Sequence, residues 1–245
     1  MDMVSRDGVH KVVAIWAYDR RPVNGAGFVC FGQRLLAVDD QEECSALISY
    51  QRKVLDALDI KHGPTHGEVK WCKGEPVLVE VGARCHGGDG LWVKVADECF
   101  GCNQVASTVY SYLDEDKFNA LPHTVMFFCT STFSTRMKGP VISTQPTNRL
   151  SYGALKWLIN YNDGVYEGLD DVSLKKITEM TSYRGHQIFL VPGKHVIKTQ
   201  NCFSWGGCAI LANANSETLE SDYSRSGLLR GFIAIIQFII LCFVK

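Results

Sequence analysis

The stretch Gly67-Glu68-Val69-Lys70-Trp71-Cys72-Lys73-Gly74-Glu75-Pro76-Val77-Leu78-Val79-Glu80-Val81 reads as an antiparallel hairpin turning about Gly74. Two strand-like runs rich in valine flank a lysine-glycine turn, and side chains along a strand alternate between its faces. If cross-strand partners sum to 148, Glu68 faces Glu80 and Lys70 faces Leu78, all on one side. Val69, Trp71, Val77, Val79 and Val81 then form an apolar opposite face suited to a core. Like charges in direct cross-strand register are destabilising. A divalent cation held between them turns that repulsion into binding, because Mg²⁺ is commonly held by one or two carboxylates together with substrate phosphates. The plainer alternative is a solvated surface on which Lys70, Lys73 and Arg84 neutralise the two glutamates.

The hairpin runs into Gly82-Ala83-Arg84-Cys85-His86-Gly87-Gly88-Asp89-Gly90. This is not a Walker loop, which ends in Gly-Lys-Ser/Thr. Its glycines, Gly87 and Gly88 among them, still allow backbone amides to approach an anion closely. Arg84 has the parity of the two glutamates and can stabilise charge on a transferred phosphoryl or acyl-phosphate group. His86 can contact phosphate or exchange a proton, although an isolated histidine more often has a structural part.

Upstream, Asp7-Gly8 signals a tight turn before the strand-like run Lys11 to Trp16. The segment Tyr18 to Gly25 reads as a Pro/Gly-punctuated loop, followed by a strand from Gly27 to Phe31. Arg20 or Arg21 in that loop could reach a nucleotide phosphate, a loop salt bridge being the alternative. Asp39 or Asp40 caps a helix in which Leu47, Tyr50 or Gln51, Val54 and Leu58 recur at helical spacing. A second helix is expected from about Leu91 to Leu113, and its Cys99-Phe100-Gly101-Cys102 has the spacing of half a zinc site. No second such pair accompanies it, so packing is the preferred reading. From Leu121 the character shifts to short strand-like pieces, Thr124 to Phe128 and His186 to Val191 among them. The change in composition suggests one domain over 1–118, a smaller β-rich subdomain over 119–225 and an apolar tail over 226–245.

The chain has 245 residues, 46% hydrophobic and 21% charged, with a formal net charge of −1. Such a composition supports a sizeable core and gives no basic field for nucleic acid. Ten cysteines fall short of a disulfide scaffold, and a cytoplasmic location is expected. The apolar run Gly231 to Val244 would span roughly 21 Å as a helix, against the roughly 30 Å of a bilayer core. Membrane association is expected only if that tail acts as an anchor.

The string HGPTHGEVKWCKGEPVLVEVGARCHGGDG (62–90) resembles the metal-binding segment of the ATP-grasp superfamily: a loop, a strand with Glu, a hairpin, and a second Glu followed four residues later by Arg. Biotin carboxylase-like enzymes carry a similar segment, while VSRDGVHKVVAIWAYDRRPVNGAGFV (4–29) looks more like the branch that joins an amino acid to an amine. The resemblance implies an α+β catalytic lobe with an antiparallel sheet, packing helices and a small β-rich subdomain. It also implies ATP- and Mg²⁺-dependent ligation of a carboxylate to an amine through an acyl phosphate, with Mn²⁺ as an alternative metal. Glu68 and Glu80 would be the metal ligands and Arg84 would steady the intermediate. The partners would be small-molecule carboxylate and amine substrates, with a homodimer compatible and no nucleic acid. The family often places Asn two residues after the second Glu, where this chain has Gly82. The family's lysine-bearing and adenine-holding strands would lie before Met1, so a fragment or truncated isoform is expected. A catalytically silent binding or regulatory module, tethered by the tail, is the alternative reading.

Overall fold

A computed structural model describes residues 1–37, 43–122, 150–226 and 233–236. The chain divides into two compact units, one of residues 1–16 and 35–151, the other of residues 17–34 and 152–245. The boundary near residue 119 suggested by composition falls inside the first unit.

In the first unit, β1 (Asp2–Arg6) and the leading part of β2 (Val9–Val23) form an antiparallel hairpin. Its two-residue turn, Asp7-Gly8, has φ of 50° and 76°, the paired positive values that a type I′ turn demands and that match the strands' twist. After β3 (Ala26–Leu36) the chain enters α1 (Cys44–Ala57), then β4 (Gly63–Cys72) and β5 (Glu75–Gly82). The strands of this unit lie in the order β5-β4-β1-β2, leaving β5 at a sheet edge. Residues 18–25 do not form the expected loop: β2 runs on to Val23, and only Asn24-Gly25, with φ of 52° and 83°, turns the chain. Asn-Gly is the strongest short signal for such a turn, and it overrides the punctuation by Pro22.

The buried stripe of α1 is Cys44, Ile48, Gln51 and Leu55, so Gln51 is buried as one of the expected positions, Ile48 and Leu55 replace Leu47 and Val54, and Leu58 is an exposed cap. Asp39 and Asp40 lie outside the described residues. The single helix expected from Leu91 to Leu113 is two: α2 (Leu91–Phe100) and α3 (Gln104–Leu113). Gly101 ends α2 in the left-handed conformation at φ 67°, and the Asn103 side chain accepts from the Ala106 amide to start α3. A short α4 (Glu115–Ala120) follows. The buried Lys11 ammonium donates to the carbonyls of Phe118, Asn119 and Leu121 at 2.6–2.9 Å, closing the end of α4. The strand-like run Thr124 to Phe128 lies outside the described residues.

The second unit holds β6 (Tyr152–Leu158), β7 (Gly164–Leu169), α5 (Asp171–Thr178), β8 (Tyr183–Ile188), β9 (His195–Val196), β10 (Gly207–Asn213), α6 (Ser216–Ser226) and β11 (Ile233–Ile236). β10 pairs antiparallel with both β6 and β8, and α6 packs Leu219 and Tyr223 against Ala154 and Leu211. Within the apolar tail, Ile233–Ile236 is a strand antiparallel to β7, so its described part takes sheet geometry. No helix among the described residues is long and apolar enough to cross a membrane.

Candidate functional site

The hairpin of β4 and β5 closes on Lys73-Gly74, whose φ values of 53° and 85° give a third two-residue turn. Cys72 therefore pairs with Glu75, Trp71 with Pro76, Lys70 with Val77 and Val69 with Leu78, a register summing to 147. The register then shifts, and Glu68 pairs with Glu80, Gly67 with Val81 and His66 with Gly82, summing to 148. Val79 is the extra residue on β5, a bulge in the edge strand.

That bulge corrects two expectations. Lys70 faces Val77 in place of Leu78, and the apolar face is Val69, Trp71, Pro76, Leu78 and Val81, without Val77. Val77 and Val79, which leave this face, are 46% and 47% exposed, and Trp71, on the face near the tip, is 40% exposed, so the face is only partly covered. The covered side meets α1: the Leu78 amide donates to the Tyr50 hydroxyl, and a Cβ at Gly67 would fall 2.4 Å from the Gln51 amide.

On the other face, Glu68 and Glu80 stand directly opposed, as the sequence suggests. Arg84 lies beside Glu80, its guanidinium 4.0 Å from the carboxylate, with both side chains more than half exposed. Two opposed carboxylates on an open strand edge present hard oxygen donors, with room for further oxygen ligands. That donor set fits Mg²⁺ and equally admits Mn²⁺. Gly87 and Gly88 lie exposed in the loop leading into α2, where Gly88, Asp89 and Gly90 have φ of 73°, 53° and 76°. The left-handed run frees the backbone to come close to an anion.

His86 does not join that exposed group. Its side chain is turned inward, with Nδ1 3.0 Å from Asp2 Oδ2. Asp2 is fully buried and accepts from three donors: His86, His66 Nδ1 at 2.6 Å and Trp16 Nε1 at 2.7 Å. The His86 ring stacks on Trp92 and meets Trp16 edge-on, and its backbone amide donates to Gln104 Oε1. Hydrogen bonds from the two imidazoles hold the Asp2 carboxyl well below the usual carboxylate range despite burial, while burial pushes the His66 imidazole down. His66 and Glu68 are two apart on β4, so this buried box adjoins the carboxylate pair on the same sheet face.

Arg20 lies in the second unit, its guanidinium 5.1 Å from the Tyr18 ring, and Arg21 makes a salt bridge within strand β2, forking onto Asp19 at 2.7 Å. Cys99 is buried in α2, and Cys102 sits in the break after it. Sequence reading missed Asp2, His66, Trp16 and Trp92. They lie 14 to 90 positions apart, and only the pairing of β1 with β2 and β4 and the packing of α2 bring them together.

No family model matches the chain. It is 28% identical over 115 residues to dapdiamide A synthase of Enterobacter agglomerans, across 47% of this chain and 26% of that protein. Among solved structures it resembles the L-amino acid ligase of Bacillus licheniformis, with a TM-score of 0.68 and 19% identity over 96% of this chain and 50% of that one. The phosphoribosylglycinamide synthetase of Anaerococcus prevotii gives 0.65 and 11%, over 96% and 52%. A biotin carboxylase domain of a 2-oxoglutarate carboxylase gives 0.54 and 13%. These neighbours are ATP-grasp enzymes, and the chain shares their α+β fold with its large antiparallel sheet and packing helices. It spans about a quarter of the curated relative and about half of the solved neighbours.

Proposed function

We propose that this chain supplies the phosphate- and metal-handling part of an ATP-dependent ligase that joins a carboxylate, an amino acid in the reading favoured here, to an amine. The observation that carries the proposal is the direct opposition of Glu68 and Glu80 beside Arg84. Two carboxylates in register raise each other's cost unless a cation sits between them.

In this reading Glu68 and Glu80 hold Mg²⁺, which when bound screens the phosphate charge of ATP. Gly87 and Gly88 offer backbone amides to the phosphates. The substrate carboxylate oxygen attacks the γ-phosphorus, ADP leaves, and Arg84 neutralises the acyl phosphate. The amine nitrogen then attacks the acyl carbon and phosphate departs. The likeness to an amino acid ligase in fold, and to dapdiamide A synthase over part of the chain, supports the carboxylate-amine class.

Hydroxylamine trapping tests the route. The full-length gene product, given Mg²⁺-ATP, amino acids and hydroxylamine, should form a hydroxamate in step with ADP. Formation of AMP and pyrophosphate would overturn the acyl-phosphate step.

A further inference from the structure

Asp2 poses a charge problem that the proposed reaction does not address. It is an ionised carboxylate with no exposed surface, and its hydrogen-bond donors are an indole and two imidazoles. The Met1 ammonium, which donates to the Gly67 carbonyl, is near enough to act on it, but among the described residues no lysine or arginine side chain pairs with it. Buried charges are paired or coordinate metals. One imidazole nitrogen from each of His66 and His86 and one Asp2 oxygen lie within 4.8 Å of one another.

We propose that Asp2, His66 and His86 form a second metal site, distinct from the Glu68–Glu80 pair, that takes a borderline divalent transition-metal ion of the Zn²⁺ class. Two nitrogen donors and one oxygen suit such an ion and disfavour Mg²⁺, which prefers oxygen. His66 Nδ1 lies 2.6 Å from Asp2 Oδ1 and His86 Nδ1 3.0 Å from Asp2 Oδ2, so small side-chain shifts bring the three ligand atoms to the ~3.3 Å between donors of a tetrahedral shell. Each imidazole would then carry its proton on Nε2 and turn the Nδ1 lone pair to the metal.

The surroundings have the form of a metal site's outer shell. Trp16 Nε1 donates to Asp2 Oδ2 and orients the carboxylate. Gln104 accepts from the His86 amide, and Trp92 Nε1 donates to the His86 carbonyl, fixing the ring against Trp92. The ion would tie β1, β4 and the glycine-rich loop together beside the phosphate-handling carboxylates, whether or not the ligase reading holds.

The test uses the whole chain, stripped with chelator and dialysed against Zn²⁺ in excess Mg²⁺. One Zn²⁺ per chain should be retained, and X-ray absorption should show a nitrogen/oxygen shell with two imidazoles and no sulfur. His86→Gln should weaken retention by more than about tenfold, whereas Glu68→Gln/Glu80→Gln should leave it unchanged. No retained zinc, sulfur in the first shell, wild-type affinity in His86→Gln, or loss in the glutamate double variant would each overturn the site. The absorption spectrum of the unaltered chain keeps the proposal testable if His86→Gln fails to fold.

Discussion

Lys156 shows how one buried charge writes itself into stability. Only 2% exposed on β6, it lies 3.8 Å from Asp19 and 4.1 Å from the Tyr223 ring centre, and burial pushes its ammonium down to about 8. Between pH 8 and its ordinary value near 10.5 the unfolded chain holds the proton that the folded chain has released. Stability contributed through this group therefore rises with pH across that window, by up to about 3 kcal/mol. Chemical denaturation from pH 7.5 to 10 should show the rise, and Lys156→Met should reduce its slope. At Gly67, Ala would meet the Gln51 amide at 2.4 Å, with α1 seated behind it. Gly67→Ala should cost about 1–3 kcal/mol in unfolding free energy. Neither effect has a sequence signature: Lys156 sits in an ordinary strand, and Gly67 is one glycine of a glycine-rich segment.

At the scale of the element, the β4–β5 hairpin was partly legible. The opposed acids could be located because the register at Glu68–Glu80 holds on the sheet side of the bulge. The bulge itself was hidden, since Val79 lies in a valine-rich run where any single residue could be the extra one. The turn was misplaced by half a residue because Lys73 takes a positive φ, which lysine rarely signals. Gly74, at φ 85° with open space around it, is required by conformation alone. Gly74→Ala should lower stability by about 1 kcal/mol while leaving ligand affinity at the glutamates intact. Loss of metal affinity in that variant would mean that the turn sets the carboxylate spacing. The break between α2 and α3 carried its own signals, Gly101 and Asn103, but apolar spacing on both sides masked them.

For the whole molecule, the α+β class followed from the family resemblance, and the turns at Asp7-Gly8 and Gly74 gave two strand pairings locally, whereas β1–β4, β10–β6 and β10–β8 join distant segments. The division into two units was not legible, because residues 17–34 belong with the distant segment 152–245. The Asp2 box was illegible for the same reason, its members being 64 and 84 residues from Asp2. The central claim concerns the one feature that both sequence and structure place together, the opposed glutamates. The most direct measurement is Mg²⁺-dependent ATP consumption by the full-length gene product, compared with its Glu80→Gln variant. Glu80 is exposed, so the variant should fold with near-native stability. The account predicts turnover reduced by at least about a hundredfold, or roughly 2.7 kcal/mol of transition-state stabilisation. Unchanged Mg²⁺-dependent turnover in a folded Glu80→Gln protein would contradict it.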